Sequence, residues 1–231
     1  MKNVSVVWVL LILGPGLAAG QGDEIAKDPD PWSGFNQSIY RFNNTADKYV
    51  LKPVATGYKK LPGPIRKSVN NFFENLADVE NGVNGILQGK VLDGVSDLGR
   101  ILINTTVGIG GLFDPASRIG LQKHEEDFGQ TLSVWGLPPG PYVVLPFLGP
   151  RRLTHALTNP LNPRLDPIRY YYPVAHRNVM WGIRAIDNRS DLLVAESLIF
   201  GDRYIFIRDA YIQRRDYLIA DGVVEDDFDD F

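Results

Sequence analysis

The chain has 231 residues, 44% of them hydrophobic and 22% charged, with a formal net charge of −3, 23 glycines, 16 prolines and no cysteine. That length and apolar content suit one domain with its own core. The missing cysteine excludes disulfides, thiolate metal sites, thiol nucleophiles and acylation of a leader cysteine.

Residues 1–20 read as a secretory signal peptide: Lys2, an apolar run from Val4 to Leu13, then Gly14-Pro15 and small residues to Gly20. The apolar run is about half of what a spanning helix needs, so export with cleavage after Ala18, Ala19 or Gly20 is expected. The body extends over 30–222. Its first helix is predicted from Ser33, as N-cap, to about Tyr49, with Phe35, Ile39, Phe42, Ala46 and Tyr49 in one stripe and Lys52-Pro53 as its end.

A second helix follows Pro64, with Val69, Phe72, Phe73, Leu76, Val79, Val83, Ile86 and Leu87 on one side, polar residues mostly on the other, and Gly89 as C-terminal cap. A third, Leu92 to Thr106, turns Leu92, Val95 and Leu98, with Ile101 and Leu102, away from Asp93, Asp97 and Arg100. The span Gly136 to Pro173 is too rich in proline for long helices, and Tyr142 to Gly149 reads either as a short extended piece or as a buried loop. Further helices are expected over His176 to Asp187, over Ser190 to Phe200, and from the N-cap Asp202 to Ala220, with Gly222 beyond the end. Asp221, Glu225, Asp226, Asp227, Asp229 and Asp230 crowd the end of the chain, so 223–231 reads as a solvated, disordered acidic tail.

Two stretches, Ile101 to Phe113 and Phe128 to Pro150, hold no charged residue yet are broken by Gly108, Gly110 and Gly111 and by Pro138, Pro139, Pro141, Pro146 and Pro150. Neither can form a continuous spanning helix, and both need a core or another apolar phase against them. The aromatics are numerous, among them Trp32, Phe35, Tyr40, Phe42, Tyr49, Phe72, Phe73, Trp135, Tyr142, Phe147, Tyr170, Tyr171, Tyr172 and Trp181. About two thirds are assigned to the core, because rings at helical spacing usually pack inward; the rest suit a membrane interface.

No catalytic set emerges. His124, His155 and His176 form no metal-binding pair, and His124-Glu125-Glu126-Asp127 reads as a solvated turn. No serine sits in a Gly-x-Ser-x-Gly context. Gly108-Ile109-Gly110-Gly111 follows a predicted helix instead of a strand, and Phe113 stands where a dinucleotide fingerprint has its third glycine. Arg203, Arg208, Arg214 and Arg215 spread around one helix as surface charge, with Asp202, Asp209 and Asp216 as partners, and offer no basic stripe for nucleic acid. Neither enzyme activity, metal nor cofactor is expected.

The segment Asn104-Thr105-Thr106-Val107-Gly108-Ile109-Gly110-Gly111-Leu112-Phe113-Asp114 resembles the signature of the MlaA/VacJ phospholipid-transport family. Phe128-Gly129-Gln130-Thr131-Leu132, Gly140-Pro141-Tyr142 and Leu145-Pro146-Phe147-Leu148-Gly149-Pro150 resemble its next blocks. Gly34-Phe35-Asn36, Tyr40-Arg41-Phe42-Asn43, Leu51-Lys52-Pro53-Val54-Ala55, Asn71-Phe72-Phe73-Glu74-Asn75-Leu76, Leu87-Gln88-Gly89-Lys90 and Tyr204 to Tyr211 extend the likeness from about Asp30 to Gly222.

The resemblance implies a mainly α, single-domain ring of amphipathic helices embedded in the outer-membrane interface around a channel, with a Gly/Pro-rich loop region. It implies removal of mislocalised glycerophospholipid from the outer leaflet and delivery to a periplasmic carrier, beside a trimeric porin. Phe42 and Asn43 would bound or gate the path, and Asn104, Thr105, Thr106, Gly108, Gly110 and Gly111 would line it. Family members are commonly lipoproteins with a leader cysteine; without one, attachment is expected from the folded body, without acylation. A soluble periplasmic helical adaptor is the alternative reading.

Overall fold

The computed structural model describes residues 28–196 and 199–222; the signal-peptide and acidic-tail expectations, 1–20 and 223–231, lie outside them. Helix α1 (Ser33–Ala46) has Trp32 at its N-cap position, with no side-chain capping bond, so Ser33 does not cap it. Nor does Pro53 end the first helix. The chain passes through a π-helical turn (Asp47–Leu51) directly into α2 (Lys52–Tyr58). The wide turn restarts the hydrogen-bond register, and Pro53 falls in the opening turn of α2, where its missing N–H costs nothing.

α3 (Gly63–Leu87) and α4 (Val91–Thr106) form a helical hairpin whose turn is closed by Gly89 at φ +85°, the predicted cap. Small residues let the two backbones touch: a Cβ on Gly94 would lie 2.6 Å from the Gly82 carbonyl oxygen, and one on Gly85 3.2 Å from the Gly94 Cα. The faces that meet are polar. Asp78, Asn81, Asn84, Asp97, Arg100 and Asn104 are buried, whereas Leu92 and Leu102 are 85% and 69% exposed. Much of the apolar surface of the leading helices is turned outward: Phe35 and Phe42 of α1, Tyr49 of the π turn, Ile86 and Leu87 at the end of α3, and Leu92, Val95 and Leu102 of α4 are exposed.

Tyr142 to Gly149 is extended only over its first half and then turns: β1 (Tyr142–Leu145) pairs antiparallel with β2 (Gly149–Arg152), Tyr142 opposite Arg152 and Leu145 opposite Gly149. Short helices α5 (Pro115–Arg118), α6 (Phe128–Val134), α7 (Leu153–Thr158) and α8 (Asn162–Leu165) and a 3-10 turn (Pro167–Tyr170) occupy the proline-rich connections. A small apolar cluster of Tyr142, Val144 and Tyr204, with Ile39, Tyr40, Tyr211 and Ile212 against it, joins the hairpin to α1 and α10.

α9 (Val174–Ala195) runs unbroken across the junction expected to separate two helices. Its polar residues there point at neighbours instead of ending the helix. Asp187 accepts from Tyr58 Oη at 2.7 Å, and Arg189 pairs with Asp47 at 2.7 Å and Glu196 at 2.6 Å. α10 (Arg203–Ile219) matches expectation: Asp202 accepts the Tyr204 and Ile205 N–H groups, and Gly222 at φ +77° follows the end. Arg215 departs from the surface role given to it, being 4% exposed and paired with Asp127.

The packing contacts close a circuit, α1 to α2 through the π turn, then α9, α3, α6, α7 and β1 back to α1, with α10 against β2 and α6. Among the aromatics assigned mostly to the core, Phe73 and Tyr142 are buried; Tyr40 and Phe72 are half-buried and the others named above are exposed. Helical spacing marks one face of a helix but carries no sign, and here the sign is reversed because polar groups fill the inside.

Candidate functional site

The site begins with an inversion of ordinary solubility. From Val91 to Phe113 the most exposed residues are uncharged, among them Leu92, Val95, Leu102, Val107, Ile109, Leu112 and Phe113, while Asp97 and Arg100 of the same stretch are buried and Asp93, half-exposed, lies beside His124. Burying a charge costs several kcal/mol per ion unless paired, and an exposed leucine forgoes about 1.5–3 kcal/mol of burial. A helix bathed in water does neither. With an apolar phase outside, both choices become favourable. No helix among the described residues is long and apolar enough to cross a membrane.

Inside, the charges are fully engaged. Arg100 Nε donates to Asp78 at 3.1 Å, Nη1 to Ser117 Oγ at 2.9 Å and the Leu121 carbonyl at 2.8 Å, and Nη2 to Asp114 at 3.3 Å. Lys123 donates to Asp78 at 2.6 Å, to Glu74 Oε2 at 2.7 Å and to the Glu74 carbonyl at 2.9 Å. His124 meets Asp97 at 3.2 Å, where burial lifts the Asp97 carboxyl to about 6 against the pull of His124. The His124 to Asp127 segment is therefore no solvated turn: Glu126 is 8% exposed, Asp127 caps α6 and Arg215 bonds it. Burial alone would raise Asp127, but the Arg215 guanidinium holds its carboxyl down at about 2.

Beside this network lies a cavity of about 380 Å³ between α3, the 123–127 segment, α6, α7 and α10, with Glu80, Lys123, Gln130, His155 and Arg214 on its wall. It is itself open to the surface and shares Lys123, Glu125, Glu126 and Arg214 with a neighbouring cleft of about 660 Å³ that reaches Lys90 and Asp221. Burial, with Asp127 and Asp166 nearby, pushes the Glu80 carboxyl up to about 8 despite Arg184. Burial pushes the His155 imidazole down to about 4, aided by Arg215 and Arg151 and opposed by Asp127. This is a polar space whose wall carries Glu80, Glu126 and Asp127 among its carboxyls, suited to hold a polar group.

The residues singled out from sequence fall into two sets that no hydrogen bond joins among the described residues. Asn43 donates to the Leu145 carbonyl at 2.9 Å and accepts the Phe147 N–H at 2.8 Å, and Asn36, one stripe position earlier, treats Tyr142 and Val144 in the same manner at 3.1 and 2.8 Å. The two amides thus complete the edge of β1 as a strand would. Phe42 faces outward and meets Phe147 edge to face at 5.2 Å.

The second set is the loop after α4. Asn104 donates to Asp114 at 3.0 Å and accepts the Ala116 N–H at 3.1 Å, Thr105 accepts from Asn75 at 3.0 Å, and Thr106 bonds back to the Leu102 carbonyl at 2.6 Å. A Cβ at Gly108 would lie 2.4 Å from both the Asn104 and Phe113 carbonyl oxygens; Gly110 and Gly111 have φ +67° and +87°. The N–H groups of Gly110 and Gly111 cap the Thr105 and Asn104 carbonyls. Glu80, Gln130 and His155 were missed, although the asparagines at 70, 71, 75, 81 and 84 of α3 signal a polar stripe.

The sequence model of the MlaA lipoprotein family matches residues 28–218. The chain is 34% identical over 225 residues to the intermembrane phospholipid transport system lipoprotein MlaA of Escherichia coli K12, covering 92% of this chain and 88% of that one. It is 35% identical to the protein of the same name from Shigella flexneri, with the same coverage, and 37% identical over 199 residues to an uncharacterized protein of Rickettsia typhi, covering 81% and 76%. A structure solved under the description "Structural basis for maintenance of bacterial outer membrane lipid asymmetry" superposes with a TM-score of 0.69 at 34% identity, over 82% of this chain and 98% of the other. Sequence and fold agree, and the chain belongs to the MlaA lipoprotein family.

Proposed function

We infer that this protein transports phospholipid at the outer membrane, taking misplaced glycerophospholipid from the outer leaflet and passing it to a periplasmic carrier. The observation that carries the reading is the reversed polarity of α4, with Leu92 and Leu102 outside and Asp97 and Arg100 inside. Lipid-seeking faces around polar space supply what the transfer needs: apolar contact for acyl chains and a polar route for a headgroup. No covalent step is required, and the cavity offers no nucleophile with an adjacent base. The names of the relatives supply the word phospholipid.

Those relatives are named lipoproteins, whereas none of these 231 residues is a cysteine. Attachment is accordingly assigned to the apolar faces of α1, α4 and the loop after it, by interfacial burial. A periplasmic lipid carrier and a trimeric porin complete the proposal as partners. Of the sequence-selected path residues, we assign Thr105, exposed and bonded to Asn75, to the headgroup route, and Asn43, Asn104 and Gly108 to holding the hairpin and loop in shape.

Mass spectrometry of the protein extracted from membranes tests the reading, with glycerophospholipid bound to the wild-type chain as the expected result. In cells lacking the protein, phosphatidylethanolamine reactive toward an impermeant amine reagent at the cell surface should rise. A lipid-free protein together with unchanged surface labelling would overturn the assignment.

A further inference from the structure

The cavity beside α3 contains two oxygen acceptors with nothing to accept from. Gln130 is 2% exposed and donates Nε2 to the Glu125 carbonyl at 2.8 Å, but its Oε1 has no partner. The Glu80 carboxyl makes no hydrogen bond or ion pair among the described residues, and its Oε1 is shut off from solvent. Both residues stand on the wall of the same space of about 380 Å³. An unsatisfied buried polar group costs about 1–3 kcal/mol, so a pair of them on facing elements marks a donor that arrives from outside.

The wall's own donors are committed elsewhere. Lys123 spends its ammonium on Asp78 and on the carboxylate and carbonyl of Glu74. Arg214 pairs with Glu125, and His155 faces the Tyr211 hydroxyl at 3.1 Å. Acids outnumber bases around the space, which favours a positively charged visitor. The wall has no Trp, Tyr or Phe ring, so it lacks the aromatic cage that holds a quaternary ammonium. Two acceptors on different helices instead suit an ammonium with several N–H groups, whose arrival would displace the proton that burial keeps on Glu80. The volume falls in the roughly 300–1,000 Å³ range of small-molecule sites.

We propose that Glu80 and Gln130 receive the primary ammonium of a phospholipid headgroup, so that the cavity selects aminophospholipids. This deepens, and rests on, the phospholipid reading. Phosphatidylcholine keeps the charge but has no N–H to give; phosphatidylglycerol brings a net negative charge to an acidic wall.

The test places the full chain in vesicles containing equal amounts of phosphatidylethanolamine, phosphatidylcholine and phosphatidylglycerol, and measures the lipid carried by the extracted protein by mass spectrometry. Wild type is expected to be enriched about tenfold in phosphatidylethanolamine over each of the others, the ratio that about 1.4 kcal/mol provides. Glu80→Gln, which alters no existing bond, and Gln130→Met, of similar volume, should each bring the ratio toward unity. Wild-type protein that carries the three lipids equally, or enrichment that survives both substitutions, would overturn the proposal while leaving phospholipid transport standing. Wild-type protein that carries no lipid would overturn both.

Discussion

Arg100 and Asp78 meet at 3.1 Å with side chains 4% and 0% exposed, between α4, which turns Leu92 and Leu102 outward, and α3. Because the guanidinium also serves Asp114, Ser117 and the Leu121 carbonyl, its loss removes the buried cation that ties these groups together and leaves Lys123 as the one cation on Asp78 among the described residues. Arg100→Met is expected to cost about 3–5 kcal/mol, measured by denaturant unfolding in micelles. Leu102→Gln on the opposite face of α4 should leave unfolding nearly unchanged and instead weaken vesicle partition.

Asn43 and Phe42 are neighbours with separable roles. Asn43→Ala removes both bonds to the β1–β2 turn, so the Phe147 amide should exchange with solvent at least tenfold faster by hydrogen-exchange mass spectrometry, at a stability cost of about 1–3 kcal/mol. Phe42→Ala should leave that protection in place and reduce membrane partition, since the ring it loses is half exposed and packed only edge-on to Phe147.

The glycines divide in the same way. Gly94→Ala would press a methyl against the Gly82 carbonyl oxygen and the Ile86 amide nitrogen at 2.6 and 2.9 Å, forcing α3 and α4 apart. Overpacking of this kind costs about 1–3 kcal/mol. Gly110 has open space around it, so Gly110→Ala carries the left-handed backbone penalty alone, about 1 kcal/mol. Thermal unfolding of the two variants in one detergent should rank them in that order.

Acid sensitivity follows from Asp127. Its folded carboxyl sits at about 2 against an ordinary 3.8, because the Arg215 bond outweighs burial. The depressed value means that its stabilisation is complete above pH 4 and is lost as pH falls from 4 toward 2. Glu196, also held near 2 against burial by Arg189, Lys52 and Arg203, adds to the same limb. Arg215→Met should lower stability at neutral pH and flatten the decline of melting temperature between pH 4 and 2; an unchanged slope would contradict this pairing.

Helix positions were legible where local chemistry sets them. Asp202 as cap, Gly89 and Gly222 beyond helix ends, and the helical character of 91–106 follow from side-chain oxygens and φ-permissive glycines that act within a turn or two. The direction of the faces was not legible, because a 3.6-residue stripe of Phe35, Phe42 and Tyr49 has the same period whether water or lipid lies outside. Asn36 and Asn43 share that helical face logic, yet their partners are more than a hundred residues away in β1 and its turn. The uninterrupted α9 was hidden for a similar reason: Asp187 and Ser190 resemble breakers until Tyr58, Asn70 and the interior supply their surroundings. The cavity wall draws Glu80, Gln130 and His155 from three helices, and no local motif announces such a meeting.

The absence of native cysteine makes the central claim directly measurable. Single nitroxide labels at Leu102→Cys and Ile109→Cys, in the full chain reconstituted in phospholipid vesicles, can be compared for collision with oxygen and with a water-soluble nickel chelate. Labels seated in the bilayer will be relaxed strongly by oxygen and weakly by nickel, which is the result expected at both positions. Labels as accessible to nickel as a free nitroxide in water would contradict the account.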